Sequence, residues 1–221
     1  IFNISGSLFN RNYISVSLLN NNFSSSTFEN STFICNSNLK TPHPFSSDLT
    51  WSQFYVENAT VIINGGTSLN FLRHSNNGIY ATGNSIVYAD NLNIDNLTWK
   101  SIGNIMAGIN ATNQCQIYVG ITAANTINNC IIGIYSENNF VTKVQHNTLL
   151  NCRNGIYTEH NGLNDIYVFD NDFLNCADGV IVTDLNKFTV GCQILQNRFH
   201  GQKDAGVPSG DAAILIFNFN L

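Results

Sequence analysis

Tyrosine and glutamate recur at matched places along the chain. Tyr55, Tyr80, Tyr135 and Tyr157 each sit inside a short apolar stretch, and Tyr55, Tyr135 and Tyr157 are followed two residues later by Glu57, Glu137 and Glu159. Aromatic faces supply apolar area for sugar C–H groups, and carboxylates accept hydrogen bonds from hydroxyls, so a row of this kind suits glycan binding. Glu137 and Glu159 raise a second possibility. On neighbouring parallel strands they would stand about 5 Å apart. Two carboxylates that close repel, so either one holds its proton more tightly or a cation such as Ca2+ sits between them. The same pair could serve as the two acids of glycoside hydrolysis. A third possibility is a solvated face whose tyrosines only stabilise strand stacking.

Other chemistries lack their residues. The five histidines, at 43, 74, 146, 160 and 200, are isolated, and neither they nor the cysteines fall at metal-ligand spacing. His160 and Asp184 follow the tyrosine row without completing a recognisable set. No phosphate-binding glycine loop and no Gly-x-Ser-x-Gly elbow is present. No metal site and no required cofactor is therefore expected, Ca2+ at the glutamate pair aside. Six Asn-x-Ser/Thr sequons, at Asn3, Asn22, Asn30, Asn58, Asn96 and Asn110, are close to what so Asn-rich a chain yields by chance.

A row of tyrosines needs something to hold it in line, and the sequence repeats in the required way. Gly78-Ile79-Tyr80-Ala81, Gly133-Ile134-Tyr135-Ser136, Gly155-Ile156-Tyr157-Thr158 and Gly179-Val180-Ile181-Val182 are copies of one motif, with weaker copies around Tyr55, Asn110 and Leu215. A second motif keeps phase with the first: Asn125 to Cys130, Asn147 to Cys152 and Asn171 to Cys176, continued by Asn197 without its cysteine. Within each period apolar residues alternate with period two, which means strands, and Asn/Gly punctuation leaves room for about three short strands every 22–25 residues. An antiparallel meander does not explain why one residue type returns at each turn. Stacked parallel repeats do, because equivalent positions then lie above one another.

Four structural expectations follow. Asn125, Asn147, Asn171 and Asn197 form an inward ladder of side-chain amides. Cys130, Cys152 and Cys176 form a buried, reduced column rather than disulfides. The motif glycines supply a turn residue with positive φ. Within the motif, Ile79, Ile109, Ile134, Ile156, Val180 and Ile214 point inward, so the tyrosines point outward onto an exposed face.

The inward Asn turn, the short apolar strand and the Gly-Ile-x-hydroxyl/aliphatic step resemble the right-handed parallel β-helix repeat of pectate-lyase-like enzymes and bacterial surface proteins. The resemblance is strongest over residues 120–200 and poorest over 1–50. It implies an all-β solenoid. It leaves function open, because lyases of that fold use acidic calcium ligands with an Arg or Lys base, hydrolases use two or three clustered Asp, and neither set occurs here at matching positions.

Residues 1–50, rich in Asn, Ser and Phe, read as irregular first coils or a cap, and residues 51–221 as the β-helix. The chain starts without Met and stops inside an apolar alternation, which reads as a piece of a longer polypeptide. Asn numbers 37 of 221 residues, charged residues are only 10 %, and the net charge is −5 with no basic stripe, which argues against nucleic acid as a partner. No apolar run is long enough for a membrane helix. The expected function is a non-catalytic structural, adhesive or glycan-binding segment of a large secreted or cell-surface protein, with a polysaccharide or surface component as partner. The alternatives are a polysaccharide lyase or glycoside hydrolase working along the Tyr/Glu face, and a cargo held by a secretion or surface assembly.

Overall fold

A computed structural model describes residues 2–10, 12–34, 50–65, 68–70, 75–95, 107–159, 165–183, 191–200 and 212–217. Cys35, His43, His74, Asn96, His160 and Asp184 lie outside the described residues. Every regular element among those described is a strand. The first six are β1 (Asn3–Ser5), β2 (Leu8–Asn10), β3 (Ile14–Glu29), β4 (Thr32–Ile34), β5 (Thr50–Asn64) and β6 (Ser68–Asn70). Three strands then recur per repeat: β7 (Ser75–Thr82), β8 (Ile86–Ala89) and β9 (Asn93–Asp95); β10 (Ala107–Thr112), β11 (Gln116–Val119) and β12 (Thr126–Asn128); β13 (Ile132–Glu137), β14 (Val141–Gln145) and β15 (Thr148–Leu150); β16 (Asn154–Glu159), β17 (Asp165–Phe169) and β18 (Asp172–Leu174); β19 (Asp178–Thr183), β20 (Gly191–Leu195) and β21 (Arg198–His200). The last described strand is β22 (Ile214–Phe217).

All pairings among the described strands are parallel. They make a large, strongly curled 14-stranded sheet and an 8-stranded sheet, a parallel β-solenoid-like architecture. The curl originates in β5. Its first half pairs with β7 and its second half with β8, and between the halves Asn58 turns the backbone with φ 48°. Later repeats break this corner into two strands, with Asn113 (φ 60°) and Asn138 (φ 52°) at the bend. β1–β4 belong to the same two sheets, and β3 pairs along β5.

The asparagine content has two structural uses. Among the described residues, nine of the thirteen non-glycine residues with positive φ are Asn, because its short side chain tolerates the left-handed region at low cost. The second use is the inward ladder. Nδ2 of Asn125 donates to Oδ1 of Asn147 at 2.7 Å, Asn147 to Asn171 at 3.0 Å, and Asn171 to Asn197 at 3.0 Å. The same amides also donate to the backbone: Asn147 to the carbonyls of Val119 and Gln145, Asn171 to those of Val144 and Phe169. Each amide thus satisfies turn carbonyls that would otherwise be buried without a partner.

The motif glycines do something other than expected. Gly108, Gly133, Gly155 and Gly179 do not have positive φ. Their backbones run so close that a Cβ on Gly155 would lie 2.6 Å from the carbonyl oxygen of Gly179 and 2.6 Å from the Phe173 ring. The alternation breaks at this point: Ile134 is a core side chain, yet a Cβ on its neighbour Gly133 would also meet core, at Leu149. Two successive residues face inward, and only the absence of a side chain on the first makes room. Positive φ is taken instead by Gly6, Gly65, Gly83 and Gly120 at the turns.

Ile79, Ile109, Ile134, Ile156 and Val180 are wholly buried, with Ala81, Ala111, Ser136, Thr158 and Val182 beside them. Ile214, expected inward in the same column, is 42 % exposed because β22 is the last described strand of the sheet. Cys130, Cys152 and Cys176 are buried free thiols. Cys176 Sγ lies 3.4 Å from the Leu149 carbonyl oxygen, and Cys152 Sγ 3.6 Å from that of Leu150. Hydrogen bonding within the column and burial push the Cys152 and Cys176 thiols well up, so they stay protonated.

Candidate functional site

The expected tyrosine row exists as a register column. Tyr55, Tyr80, Asn110, Tyr135, Tyr157, Ile181 and Leu215 are successive partners across β5, β7, β10, β13, β16, β19 and β22. Its centre is not the exposed face expected. Tyr135 has 0 % exposure, and Asn110 and Ile181 are also buried. The Tyr135 ring packs in a small cluster with Ala107, Ile132, Ile131 and Tyr157 on the outer side of the sheet, and meets Tyr157 edge-on at 5.6 Å. Alternation correctly sets which way Tyr135 points, but Ile132 on its own strand and Ala107 and Tyr157 on the adjacent strands close around it.

The acids beside it are occupied. Glu137 and Glu159 are register partners on β13 and β16 and both are half-buried. The Tyr135 hydroxyl donates to Oε1 of Glu159, and the Tyr157 hydroxyl to Oε2 at 2.9 Å. Burial, reinforced by the hydrogen bond to Glu159, drives the Tyr135 phenol far above its ordinary range. Both oxygens of Glu159 therefore accept from phenols, which braces the carboxylate between the two tyrosines. Among the described residues, no three His, Cys, Asp or Glu side chains gather closely enough to hold a metal ion.

Tyr55 and Tyr80 differ from the centre of the row. Both are half-buried, their rings are parallel within 2° at 5.8 Å, and Trp51 packs on each at 5.3 and 4.9 Å. The Tyr55 hydroxyl donates to Glu57 at 2.6 Å. That bond, with burial and the Glu57 charge, pushes the Tyr55 phenol up to about 12.

The more open aromatic surface lies on the neighbouring face of the curled sheet, outside the expected tyrosine row. Tyr88, Tyr118, Lys143, Tyr167 and Gln193 are successive register partners across β8, β11, β14, β17 and β20. Their strand neighbours Val87, Ala89, Ile117, Val119, Val144, Ile166 and Val168 are buried, so the column faces out. Tyr88 is 37 % exposed and stacks on Tyr118 at 4.9 Å and 11°. The Lys143 ammonium sits 5.9 Å from the centre of the Tyr118 ring, and Tyr167 stacks on Phe169 at 5.8 Å. The Tyr118 phenol is raised by burial and by Tyr88, and its hydroxyl donates to Gln116 at 3.1 Å.

A cavity of about 470 Å³ opens over the lower part of this column, lined by Lys143, Gln145, Asp165, Tyr167 and Gln193. It combines an aromatic face, two amides, a cation and a carboxylate. The signal was present in the sequence: Ile86-Val87-Tyr88-Ala89, Gln116-Ile117-Tyr118-Val119 and Asp165-Ile166-Tyr167-Val168 repeat at spacings of 30 and 49 residues, with Lys143 between them. It has no glycine to draw attention to it.

Among the described residues, no helix is long and apolar enough to cross a membrane. Comparison with protein-family models, with curated proteins and with solved structures finds no match to this chain.

Proposed function

We propose that this chain is a right-handed parallel β-helix segment of a secreted or cell-surface protein that binds glycan without cleaving it. The observation that carries the reading is the outward column Tyr88–Tyr118–Lys143–Tyr167–Gln193, with its open cavity over the last three residues. Sugars bind where flat apolar area and hydrogen-bonding groups alternate at close range. Here the alternation is set by the strand spacing of about 4.8 Å. A ligand lying across the strands would meet aromatic, cationic, aromatic and amide groups in turn. This moves the binding face away from Tyr135 and Tyr157, whose rings and hydroxyls are used in packing against Glu159.

Affinity electrophoresis through gels containing neutral or acidic polysaccharides tests the reading. At least one polysaccharide should retard the protein without being shortened. The Tyr118→Ala/Tyr167→Ala double variant should bind about tenfold or more weakly, the loss expected when two aromatic faces worth about 1 kcal/mol each are removed. Retention of the double variant equal to wild type, with an unchanged circular dichroism spectrum, would remove this face from consideration. Release of shortened chains would overturn the non-catalytic part.

A further inference from the structure

The sequence holds four Asn–Gly steps, beginning at Asn64, Asn77, Asn154 and Asn161, the last outside the described residues. Such a step can react with itself: the backbone nitrogen of the glycine attacks Cγ of the asparagine, and the glycine carries no side chain to hinder the approach. Two conditions govern the reaction. The nitrogen and the side-chain amide must meet, and the glycine N–H must not be fixed in a strand ladder. Asn154–Gly155 lies inside β16, where Asn154 is in register with Ile132 of β13 on one side and Asp178 of β19 on the other. Gly155 is also wedged against the Gly179 carbonyl and the Phe173 ring. Asn77–Gly78 lies inside β7, between β5 and β10. Asn77 is buried and its Oδ1 accepts from Asn110 at 3.0 Å. In a paired strand the side chain stands out of the plane in which the N–H groups point, so the reacting atoms are held apart. Asn64 differs. It is the last residue of β5, and Gly65 follows outside the strand with φ 80°. The Gly65 N–H turns back onto the preceding side chain and donates to Oδ1 of Asn64. Nucleophile and amide are already together.

From this contrast we propose that Asn64 is a site of spontaneous modification, at which the side-chain amide is lost as ammonia and a carboxylate takes its place. The Gly65 nitrogen gives its proton to hydroxide and bonds to Cγ. The tetrahedral centre expels the side-chain nitrogen, which takes up a proton and leaves as ammonia, and a five-membered succinimide remains. One water then adds. Opening between the nitrogen and Cγ gives aspartate. Opening between the nitrogen and the backbone carbonyl carbon gives isoaspartate, whose main chain runs through the former side chain. Nothing is oxidised or reduced, so water and hydroxide are the only co-reactants. Either product puts a carboxylate in register with Glu29 of β3, and like charges side by side on neighbouring strands repel. Isoaspartate also adds a methylene to the main chain at a junction of repeats, where the Asp90 N–H donates to the Ile63 carbonyl and the Asn30 N–H to the Gly65 carbonyl, each at 3.0 Å. The inference rests on local backbone geometry and is independent of glycan binding.

Peptide mapping by mass spectrometry, with enzymatic methylation to detect isoaspartate, tests it. The whole chain is kept folded in mildly alkaline buffer and sampled over time. Asn64 should convert at least about tenfold faster than Asn77 and Asn154, a barrier difference of about 1.4 kcal/mol, and isoaspartate should be among its products. The same incubation in urea that unfolds the chain should bring the three sites to comparable rates, because each then has the same Asn–Gly chemistry without the strand ladder. An Asn64 that converts no faster than Asn77 or Asn154 in the folded chain would overturn the proposal. So would a ranking that persists unchanged in urea, which would assign it to neighbouring residues rather than to the fold, or a product without isoaspartate, which would mean direct hydrolysis without attack by Gly65.

Discussion

The side-chain amide of Asn147 donates to Oδ1 of Asn171 at 3.0 Å, and its own Oδ1 accepts from Asn125 at 2.7 Å. One buried residue thereby joins three repeats. The bonds are short, oriented and shielded from water, where each is stronger than at the surface.

Asn147→Ala should therefore be costly. It removes the acceptor for Asn125 and the donors for the Val119 and Gln145 carbonyls in a buried position. A loss of about 3 kcal/mol is expected, since each buried polar group left without a partner costs about 1–3 kcal/mol. Urea unfolding followed by circular dichroism measures it. A midpoint indistinguishable from wild type would show that the ladder does not hold the repeats together.

Gly155→Ala adds one methyl group where the Gly179 carbonyl oxygen and the Phe173 ring are each 2.6 Å away. Neither neighbour is a flexible side-chain end, so the strands must separate. Overpacking of this kind costs about 1–3 kcal/mol. Gly6→Ala, at a turn with φ 61° and open space around it, carries only the cost of the left-handed region, about 1 kcal/mol. Thermal melts of the two variants should rank in that order, and the reverse order would refute the close-approach explanation.

Tyr135→Phe separates the two aromatic columns. It keeps the ring but deletes the hydroxyl that braces Glu159. Stability should fall by about 1.5–3 kcal/mol, the range for losing a hydrogen bond to a charged group, while polysaccharide retention stays at the wild-type level. Loss of retention with unchanged stability would return the binding face to the Tyr135–Tyr157 strand.

Tyr55 makes the fold sensitive to alkali. Its phenol ionises near its ordinary value of 10.0 in the unfolded chain and at about 12 in the folded one, because the folded phenol donates to Glu57. A raised folded value means that the contribution is complete below pH 10 and is lost as the pH rises through about 12. Unfolding midpoints should therefore fall across that interval, and Tyr55→Phe should flatten the fall. An identical pH profile for the variant would show that this hydrogen bond does not contribute. The effect is modest, since Tyr55 is only half-buried and solvent screens its partner.

The amino-acid sequence was sufficient for those features in which one residue type must return in phase. Strand periodicity, the parallel repeat, the Asn125–Asn147–Asn171–Asn197 ladder and the buried cysteine column all follow from local alternation and equal spacing, because stacked repeats put equivalent side chains in contact. Tertiary structure decided what spacing does not encode. Gly108, Gly133, Gly155 and Gly179 look like turn residues in sequence, but their role depends on how closely the next repeat approaches, as at Gly155 and Gly179. Tyr135 and Tyr118 both point outward by the same alternation. Only one is sealed, because Ile132 on its own strand, Ala107 on β10 and Tyr157 on β16 close around it, while Tyr88 in the other column is 37 % exposed and a cavity opens over Lys143, Tyr167 and Gln193. Which face of a strand points away from the core is a local property. Whether that face reaches solvent depends on segments distant in the chain, and the same physics that aligned the tyrosines left that question to packing.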